Sequence, residues 1–502
     1  MSRTRRSSPA TPAPPAALEA LAGEATWKEL ESQGADVVWS VVDGVLRVTE
    51  INLFGRQISG RLNLEPFPCL KKFAAFAATL NSANVSKNEA LAELVLADGS
   101  LEEVDVSANA LGSLDVSRNA ALVLPNAAQN KLGALDVSKN AALAGLAVGE
   151  NLPESLDLSQ NKALESLGAS DNFLRGIDLG GNPGLAGLSL SGNYLAGLDV
   201  LRNPALKHVV ADRSEGLGTP DVSRNPFLDI LSLKSSGLAS LDVGRNLALF
   251  ALFADDNYLG ELDPRADPGL LALEVDDNRL EPLDLSRNAA LERLSASKNL
   301  LDELDLAQNL SLAELNLEAN QTSRLVLPES DRLKMIDADR NKLAAIDLGG
   351  CPALESLRVE RNLLGALDVS KNPELRDLRL SGNQIGTLDL SGNGRLESLA
   401  ASRTKLTTLI PPSQKENALK SVEARDNGLE AADFSKNPGL TAVDLARNNI
   451  AVVDFSHNPG LKFLDLTNNE LLGRLSRSDE LPAGTDLSKL DRLPDIGAPS
   501  AP

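Results

Sequence analysis

The sequence predicts an α/β-type repeat solenoid dominated by short strands, and two periodic patterns carry that prediction. A first half with the pattern LxxLxLxxNxL begins nineteen times between Leu80 and Leu461, at a spacing of 21 residues except for one extra residue before 228 and two before 419. A second half of the form xxLDLxxN follows each one in most coils. A fixed period in this range is typical of arrays in which each unit buries its apolar side against its neighbours.

The LxL segment of each first half is predicted to be a short strand, because alternating apolar residues suit one buried face. Identical strands at a fixed period stack in parallel, about 4.8 Å apart. Each coil holds about five or six aliphatic core positions at ~1.5–3 kcal/mol each, which does not clearly exceed an ordering cost of ~1.5 kcal/mol per residue. A stack of coils is therefore expected to fold, whereas a single coil is not.

The ninth position of the first half is Asn in sixteen of the nineteen units, and Ser214, Ser236 and Thr404 replace it in the others. An amide has both donors and an acceptor, so a stacked row of them can satisfy the backbone groups exposed at each turn. We predict a structural Asn ladder, whose central members are Asn172, Asn193, Asn257, Asn278, Asn299, Asn320, Asn341, Asn362 and Asn383.

These motifs resemble leucine-rich repeats, and the alternation of LxxLxLxxNxL with xxLDLxxN is similar to a bacterial subclass with 21-residue repeats. The resemblance covers roughly residues 45–475. It implies a curved leucine-rich-repeat superhelix with a parallel β-sheet on its concave face and few regular helices. It also implies a protein-binding function.

Four segments follow from these patterns. A solenoid exposes its core at both ends and needs caps, and the apolar spacing between 17 and 33 predicts a helix in the first cap, followed by strands at 37–40 and 45–53. The predicted segments are a disordered Pro/Ala/Ser-rich tail at 1–16, an N-terminal cap with a first degenerate repeat at 17–79, the solenoid at 80–475, and a C-terminal cap or disordered tail at 476–502.

The second half carries a column of Asp residues, one after each Leu, which Val326 and Ile410 interrupt. Stacked carboxylates repel unless each is hydrogen-bonded or solvated. The favoured interpretation is a structural ladder bonded to turn amides or to the frequent Ser two places on, such as Ser117 and Ser138. The alternative is a row of calcium sites, which is weaker because calcium needs six to eight oxygens from one converging loop.

The composition of the chain argues against several classes of function. The chain has 49 Lys+Arg and 70 Asp+Glu, a net charge of −21, which argues against nucleic acid as a partner. No run approaches about 18 apolar residues, so no membrane insertion is predicted. Without a visible secretory signal the expected location is cytoplasmic, with secretion left open, and the expected state is a monomer.

The sequence predicts no catalytic site. The two histidines, His208 and His457, lie about twelve coils apart, and the motifs of zinc proteases, nucleotide-binding loops and serine hydrolases do not occur. We therefore expect neither an enzyme nor a cofactor nor a metal site. The two cysteines, Cys69 and Cys351, are too far apart to pair in an extended solenoid.

Two groups of residues beside the predicted strands are candidate partner sites. The arginine patch is Arg340, Arg358, Arg361, Arg376, Arg379 and Arg403, and the acidic cluster is Asp255, Asp256, Glu274, Asp276 and Asp277 beside Phe253. Arg is favoured at interfaces, and adjacent strands would bring these side chains within about 5–10 Å. The competing interpretation is a solvated charge mosaic that neutralises itself.

The leading hypothesis is thus a non-enzymatic scaffold that binds a protein partner through the concave face. The alternative is a structural or surface protein that calcium stabilises through the Asp column. The irregular coils at 206–227 and 396–418 are a further candidate location for a binding site, because insertions in repeat arrays map to loops and sometimes to binding faces.

Overall fold

The computed structural model describes residues 35–53, 59–64, 67–76, 79–85, 88, 90–91, 93–97 and 101–469. The chain forms two compact units, Met1–Leu249 (unit 1) and Phe250–Pro502 (unit 2). The helix expected at 17–33 and both expected tails, 1–16 and 476–502, lie outside the described residues.

The described part of unit 1 contains short strands. They are β1 (Asp36–Val42), β2 (Val45–Asn52), β3 (Ser59–Asn63), β4 (Lys72–Phe76), β5 (Thr79–Asn84), β6 (Glu93–Ala97), β7 (Glu103–Asp105), β8 (Leu124–Asn126), β9 (Gly145–Ala147), β10 (Ser166–Gly168), β11 (Gly187–Ser189), β12 (His208–Val210) and β13 (Ile230–Ser232). The first two form an antiparallel hairpin. Its turn residues Asp43 and Gly44 both have positive φ, 52° and 77°, as a two-residue hairpin turn of the right twist requires.

Two sheets arise from the two halves of the first coils. β2 continues in parallel into β4 and β6, which gives the four-stranded order β1-β2-β4-β6. β3 and β5 begin the other sheet, in which β7 to β13 follow one another in parallel. The strand register aligns the central apolar residues of successive coils, as in Leu167↔Leu188. The described part of unit 1 is therefore a parallel solenoid in which the first two strands form a hairpin.

Unit 2 repeats the same coil. Its strands are β14 (Ala251–Phe253), β15 (Ala272–Glu274), β16 (Arg293–Ser295), β17 (Glu303–Asp305), β18 (Glu314–Asn316), β19 (Arg324–Val326), β20 (Met335–Asp337), β21 (Ser356–Arg358), β22 (Asp377–Arg379), β23 (Thr387–Asp389), β24 (Ser398–Ala400), β25 (Thr408–Ile410), β26 (Ser421–Glu423), β27 (Ala431–Asp433), β28 (Ala442–Asp444), β29 (Val452–Asp454) and β30 (Phe463–Asp465).

The first-half strands of unit 2 form one parallel sheet, in the order β14, β15, β16, β18, β20, β21, β22, β24, β26, β28 and β30. The second halves form three separate two-stranded pairs, β17-β19, β23-β25 and β27-β29. The described residues contain strands, turns and bends but no helix. The predicted strand-dominated solenoid is therefore confirmed in each unit.

The core is aliphatic and follows the repeat. The central residue of each main-sheet strand in unit 2, such as Leu357 or Leu378, is fully buried, while its two neighbours in the strand point away from the core. Phe434 and Phe455, on adjacent coils, stack inside unit 2 with ring centroids 6.0 Å apart. The outward sides of the same strands are thereby left to carry polar residues.

Each ladder Asn secures the turn after the main-sheet strand. Asn362 donates through Nδ2 to the carbonyl oxygens of Ala338, Val359 and Glu360 at 2.8, 3.1 and 3.2 Å, and its Oδ1 accepts the amide of Leu343 at 3.0 Å. The residue before the ladder position has positive φ in most coils, as at Arg361 (53°). One amide thus joins two coils and holds a left-handed backbone at the strand's carboxyl end.

A second row of Asn residues, one per coil at the end of the second half, is also buried. Asn372 donates to the carbonyl oxygens of Leu348 and Cys351 in the preceding coil, at 3.1 and 2.8 Å. Cys351 occupies the same place in its own coil, where its thiol lies 3.5 Å from the carbonyl oxygen of Pro328. Burial raises the pKa of the Cys351 thiol to about 11.

Candidate partner-binding face

The outward side of the main sheet in unit 2, which we call the strand face, carries two columns of side chains, and the one at the carboxyl ends of the strands contains Arg358 and Arg379. The column consists of the last residue of each strand, and the parallel register places each directly beside the next. Its members, which we call the central column, are Phe253, Glu274, Ser295, Asn316, Asp337, Arg358, Arg379, Ala400, Glu423, Asp444 and Asp465. Successive members are separated by one strand spacing, about 4.8 Å.

The structure separates the arginine patch into three positions of the coil. Arg358 and Arg379 are neighbours in the central column, in strand register. Arg376 comes immediately before β22. The remaining three, Arg340, Arg361 and Arg403, occupy the left-handed turn position with φ of 53–57°. Only Arg358 and Arg379 therefore share the middle of the strand face.

Neighbouring carboxylates pair with most of these arginines. Arg379 donates from Nε to Oδ2 of Asp377 at 3.0 Å. Arg358 lies between two carboxylates, with nitrogens 3.8 Å from Oδ2 of Asp337 and 3.7 Å from Oδ2 of Asp377. These two distances exceed a hydrogen bond. Arg358 is thus held electrostatically while its N–H groups form no hydrogen bond with these two neighbours.

The arginines at the other positions form similar pairs. Arg376 lies 3.2 Å from Oε1 of Glu397 and 3.9 Å from Oε2 of Glu355. The closest nitrogen–oxygen distances are 3.8 Å for Arg340 with Glu318 and 3.4 Å for Arg403 with Asp426. Exposed pairs of this kind contribute about 0–1 kcal/mol to folding. The patch therefore has the character of a charge mosaic, in which partner groups can compete for each arginine at little cost.

The acidic cluster is largely engaged within the fold. Asp276 accepts the amide of Ser297 at 2.5 Å and the hydroxyl of Ser295 at 2.7 Å. Asp255, which lies one coil earlier, accepts the amide of Asp276 at 2.9 Å. Glu274 lies 3.4 Å from Arg293, and Asp277 lies 3.5 Å from Lys298. Asp256 is exposed at the left-handed turn position, and Phe253 is half-buried, in register with Glu274.

A group of half-buried carboxylates lies beside Arg358; the sequence showed them among the arginines but did not single them out as a candidate site. Asp339 follows β20 and accepts the amide of Glu360 at 2.5 Å. Burial, followed by repulsion from Asp337, Glu360 and Glu318, raises the pKa of Asp339 to about 6. Burial also raises the pKa of Asp337. The signal in the sequence was two Asp residues at alternate positions of one coil, both on the outward side.

Comparison with known proteins identifies the fold. No protein-family model and no curated protein matches the chain. Among solved structures, YopM from Yersinia enterocolitica is 24% identical with a TM-score of 0.56, covering 84% of this chain and 82% of YopM. The chain has a leucine-rich-repeat fold.

Two other solved structures with this fold resemble the chain. The plant peptide hormone receptor RGFR1, in complex with RGF2, is 18% identical with a TM-score of 0.61, covering 82% of this chain and 81% of the receptor. A leucine-rich-repeat protein of Leptospira interrogans is 20% identical with a TM-score of 0.51, covering 64% of this chain and 86% of that protein. At these identities the likeness concerns the fold alone.

The Asp column of the leucine-rich-repeat chain forms turns within single coils. Asp368, for example, accepts the amide of Ser370 at 2.9 Å, and hydrogen bonds from the Ser370 hydroxyl and amide lower the pKa of Asp368. Asp115, Asp284 and Asp454 accept the amide two residues on in the same way. These contacts support the structural interpretation of the column. In the described parts of the chain no group of three His, Cys, Asp or Glu side chains could hold a metal ion.

The histidines make unrelated surface contacts. Nε2 of His208 lies 3.3 Å from Oδ1 of Asp229 in unit 1, and Nδ1 of His457 lies 3.1 Å from the hydroxyl of Ser456 in unit 2. The described part of the leucine-rich-repeat chain also contains no helix long and apolar enough to cross a membrane.

The longer irregular coil of the leucine-rich-repeat fold is tied to its neighbours. Thr404, in the ladder position, donates its hydroxyl to the carbonyl oxygen of Ala401 at 2.8 Å. In the inserted segment, Gln414 donates to the carbonyl oxygen of Ser391 at 2.8 Å and Asn417 to that of Lys436 at 2.6 Å. The insertion thus follows β25, away from the strand face, and its side chains bond to the adjacent coils.

Proposed function

We propose that this leucine-rich-repeat chain is a non-enzymatic scaffold that binds a protein partner through the strand face of unit 2. The resemblance noted from the sequence assigns that sheet to the concave side of such a solenoid. The observation that carries the proposal is the pair Arg358 and Arg379, which are in direct register with side chains 42% and 46% exposed. Arg is enriched among residues that dominate binding energy.

The state of Arg358 supports this role. Its pairs with Asp337 and Asp377, at 3.8 and 3.7 Å, hold the guanidinium over the face without a hydrogen bond to either carboxylate. A partner carboxylate could accept two of its N–H groups in the bidentate geometry that Arg favours. The plant receptor with this fold that was solved in complex with RGF2 supports a polypeptide as the kind of ligand.

The experiment is affinity capture from the native lysate with wild type and with the double variant Arg358→Glu, Arg379→Glu. The expected result is a protein that wild type retains and the double variant does not, because two repulsive charges then face the partner's acidic groups. The matched control is Arg324→Glu with Arg395→Glu, which makes the same charge change in unit 2 at exposed arginines outside the main sheet.

Retention of the same protein by the Arg358/Arg379 variant, folded by circular dichroism, would remove these arginines from the site. A parallel arm with a calcium chelator addresses the alternative function, a calcium-stabilised structural or surface protein. A melting temperature that falls on chelation, with no captured partner, would favour that alternative.

A further inference from the structure

The charges of the strand face in unit 2 are arranged in bands. Along the central column, Asp337 is followed by Arg358 and Arg379, then by neutral Ala400, then by Glu423, Asp444 and Asp465. Every step is one registered strand, about 4.8 Å. The central column therefore reads acidic, basic, acidic along the direction in which the strands stack, and Asp377 of β22 pairs with both arginines from the adjacent column.

The first acidic band exceeds its local positive charge. Asp337, Glu360 and Glu318 lie near Asp339 and repel its charged form, so four carboxylates are grouped here. The ion pairs that reach this band are from Arg358 to Asp337 and from Arg340 to Glu318, both 3.8 Å. Neither is short enough for a hydrogen bond. The band is thus available to cationic groups from outside.

The second acidic band is similar. Glu423 is exposed and accepts the hydroxyl of Ser402 at 3.2 Å. Asp444 lies 3.7 Å from Arg425, yet burial, with repulsion from Asp465 and Glu423, still raises the pKa of Asp444. Asp465 is buried and accepts the amide of Thr467 at 3.0 Å. Three registered carboxylates therefore face one pairing arginine within this band.

We propose that the protein partner of this face presents an acidic group between two basic groups. The proposal rests on the function proposed above and specifies the chemistry of the partner. A uniformly acidic partner would meet the outer bands, and a uniformly basic partner would meet Arg358 and Arg379, at a cost of like-charge contact. A second copy of the same face is also unsuited, because the reverse of acidic–basic–acidic is the same sequence of charges.

The spacing of the bands fixes the order of charges in a polypeptide laid along the column. Extended chain advances about 3.3 Å per residue and its successive side chains point to opposite faces, so groups opposite Asp337 and Arg358 are about two residues apart. Groups opposite Arg379 and Glu423, two strand steps or about 9.6 Å apart, are two to four residues apart, and a group opposite Asp444 lies about two residues further on. The peptide Lys-Ala-Glu-Ala-Glu-Ala-Lys-Ala-Lys satisfies these separations.

The test measures binding of that peptide, labelled with fluorescein, to the full-length chain by fluorescence anisotropy. The comparison peptide is Glu-Ala-Lys-Ala-Lys-Ala-Lys-Ala-Glu, which has the same composition and net charge but places its acidic groups outside. We expect the banded peptide to bind about tenfold more tightly, since two or three favourable exposed pairs replace unfavourable ones. Equal affinity for the two peptides, or no binding of either at millimolar concentration, would overturn the proposal.

Variants locate the effect on the face. Asp337→Asn with Glu423→Gln removes one charge from each acidic band while an amide oxygen remains as acceptor, and is expected to abolish most of the tenfold preference. The matched control, Glu303→Gln with Glu374→Gln, removes two exposed carboxylates of unit 2 that pair with Arg324 and Arg395, and is expected to keep the preference. Loss of preference in the control variant alone would contradict the proposal.

Failure of the peptide test is distinguishable from failure of the proposed function. Capture of a protein that requires Arg358 and Arg379 would uphold the scaffold function even when the two peptides bind equally. Conversely, a preference for the banded peptide without any captured protein would uphold the charge pattern and leave the scaffold function unsupported.

Discussion

Replacement of Asn362 by Ala tests how the ladder stabilises the turn that presents the arginines. The substitution removes three donated hydrogen bonds, to Ala338, Val359 and Glu360, and the acceptor of the Leu343 amide. Asn362 is 4% exposed, so water does not readily replace these partners. An unpaired buried amide costs about 1–3 kcal/mol, and weakened carbonyl pairing adds to it, so we expect a loss of about 3–5 kcal/mol.

The assay is urea unfolding followed by circular dichroism, with the free energy of unfolding compared between wild type and variants. Asn362→Thr should be intermediate, because Thr404 shows that a hydroxyl in this position still donates to the carbonyl three residues earlier. Asn362→Asp should be at least as damaging as the Ala variant, since an ionised carboxylate cannot donate. Asn449→Ala, at an exposed position of the same unit, is the control and should change stability by under about 0.5 kcal/mol. An Ala variant at Asn362 that unfolds like the control would refute the ladder account.

Two further predictions concern unit 2. Burial raises the pKa of Asp339 from 3.8 to about 6, so the folded state binds its proton more tightly than the unfolded state, and stability from this group falls as the pH rises from about 4 through 6. Asp339→Asn should therefore be more stable than wild type by roughly 1–2 kcal/mol at pH 7, after allowance for partial exposure. The difference in stability should vanish near pH 4. A difference in thermal melts that does not depend on pH would contradict this prediction. Cys351 is fully buried with a pKa of about 11, whereas Cys69 is half-exposed. An aromatic disulfide reagent should therefore modify the Cys69 thiol quickly and the Cys351 thiol only at the rate of unfolding. Equally fast modification of both thiols would show that the coil of Cys351 opens readily.

The sequence predicted those parts of the fold that recur in every coil. The period and the LxL segment predicted buried residues such as Leu357 and Leu378 in parallel register, which the structure confirms. In unit 2 the structure pairs second-half strands in three places, β17-β19, β23-β25 and β27-β29. This was not predicted, because the LDL pattern is the same where the second half turns and where it forms a strand such as β23.

Less of the candidate site followed from the sequence. Six arginines close in sequence were expected to form one patch, but the coil directs Arg361 and Arg403 into left-handed turns and Arg358 and Arg379 into strands. Each of these turns precedes a ladder position, Asn362 after Arg361 and Thr404 after Arg403. The left-handed backbone there is a three-dimensional effect that residue type alone does not reveal. The raised pKa of Asp339 likewise depends on Glu318 and Glu360, which come from the two neighbouring coils.

The most direct test of the central claim is photo-crosslinking of the chain to its partner inside the native cell. A benzophenone amino acid would replace Ser356 or Ser398, which lie on the strand face in β21 and β24 beside the arginines, or Arg324 in β19 as the control. The account predicts a crosslinked protein from Ser356 and Ser398 that disappears when Arg358→Glu and Arg379→Glu are added, and no crosslink from Arg324. A crosslink from position 324 alone would contradict binding through the strand face.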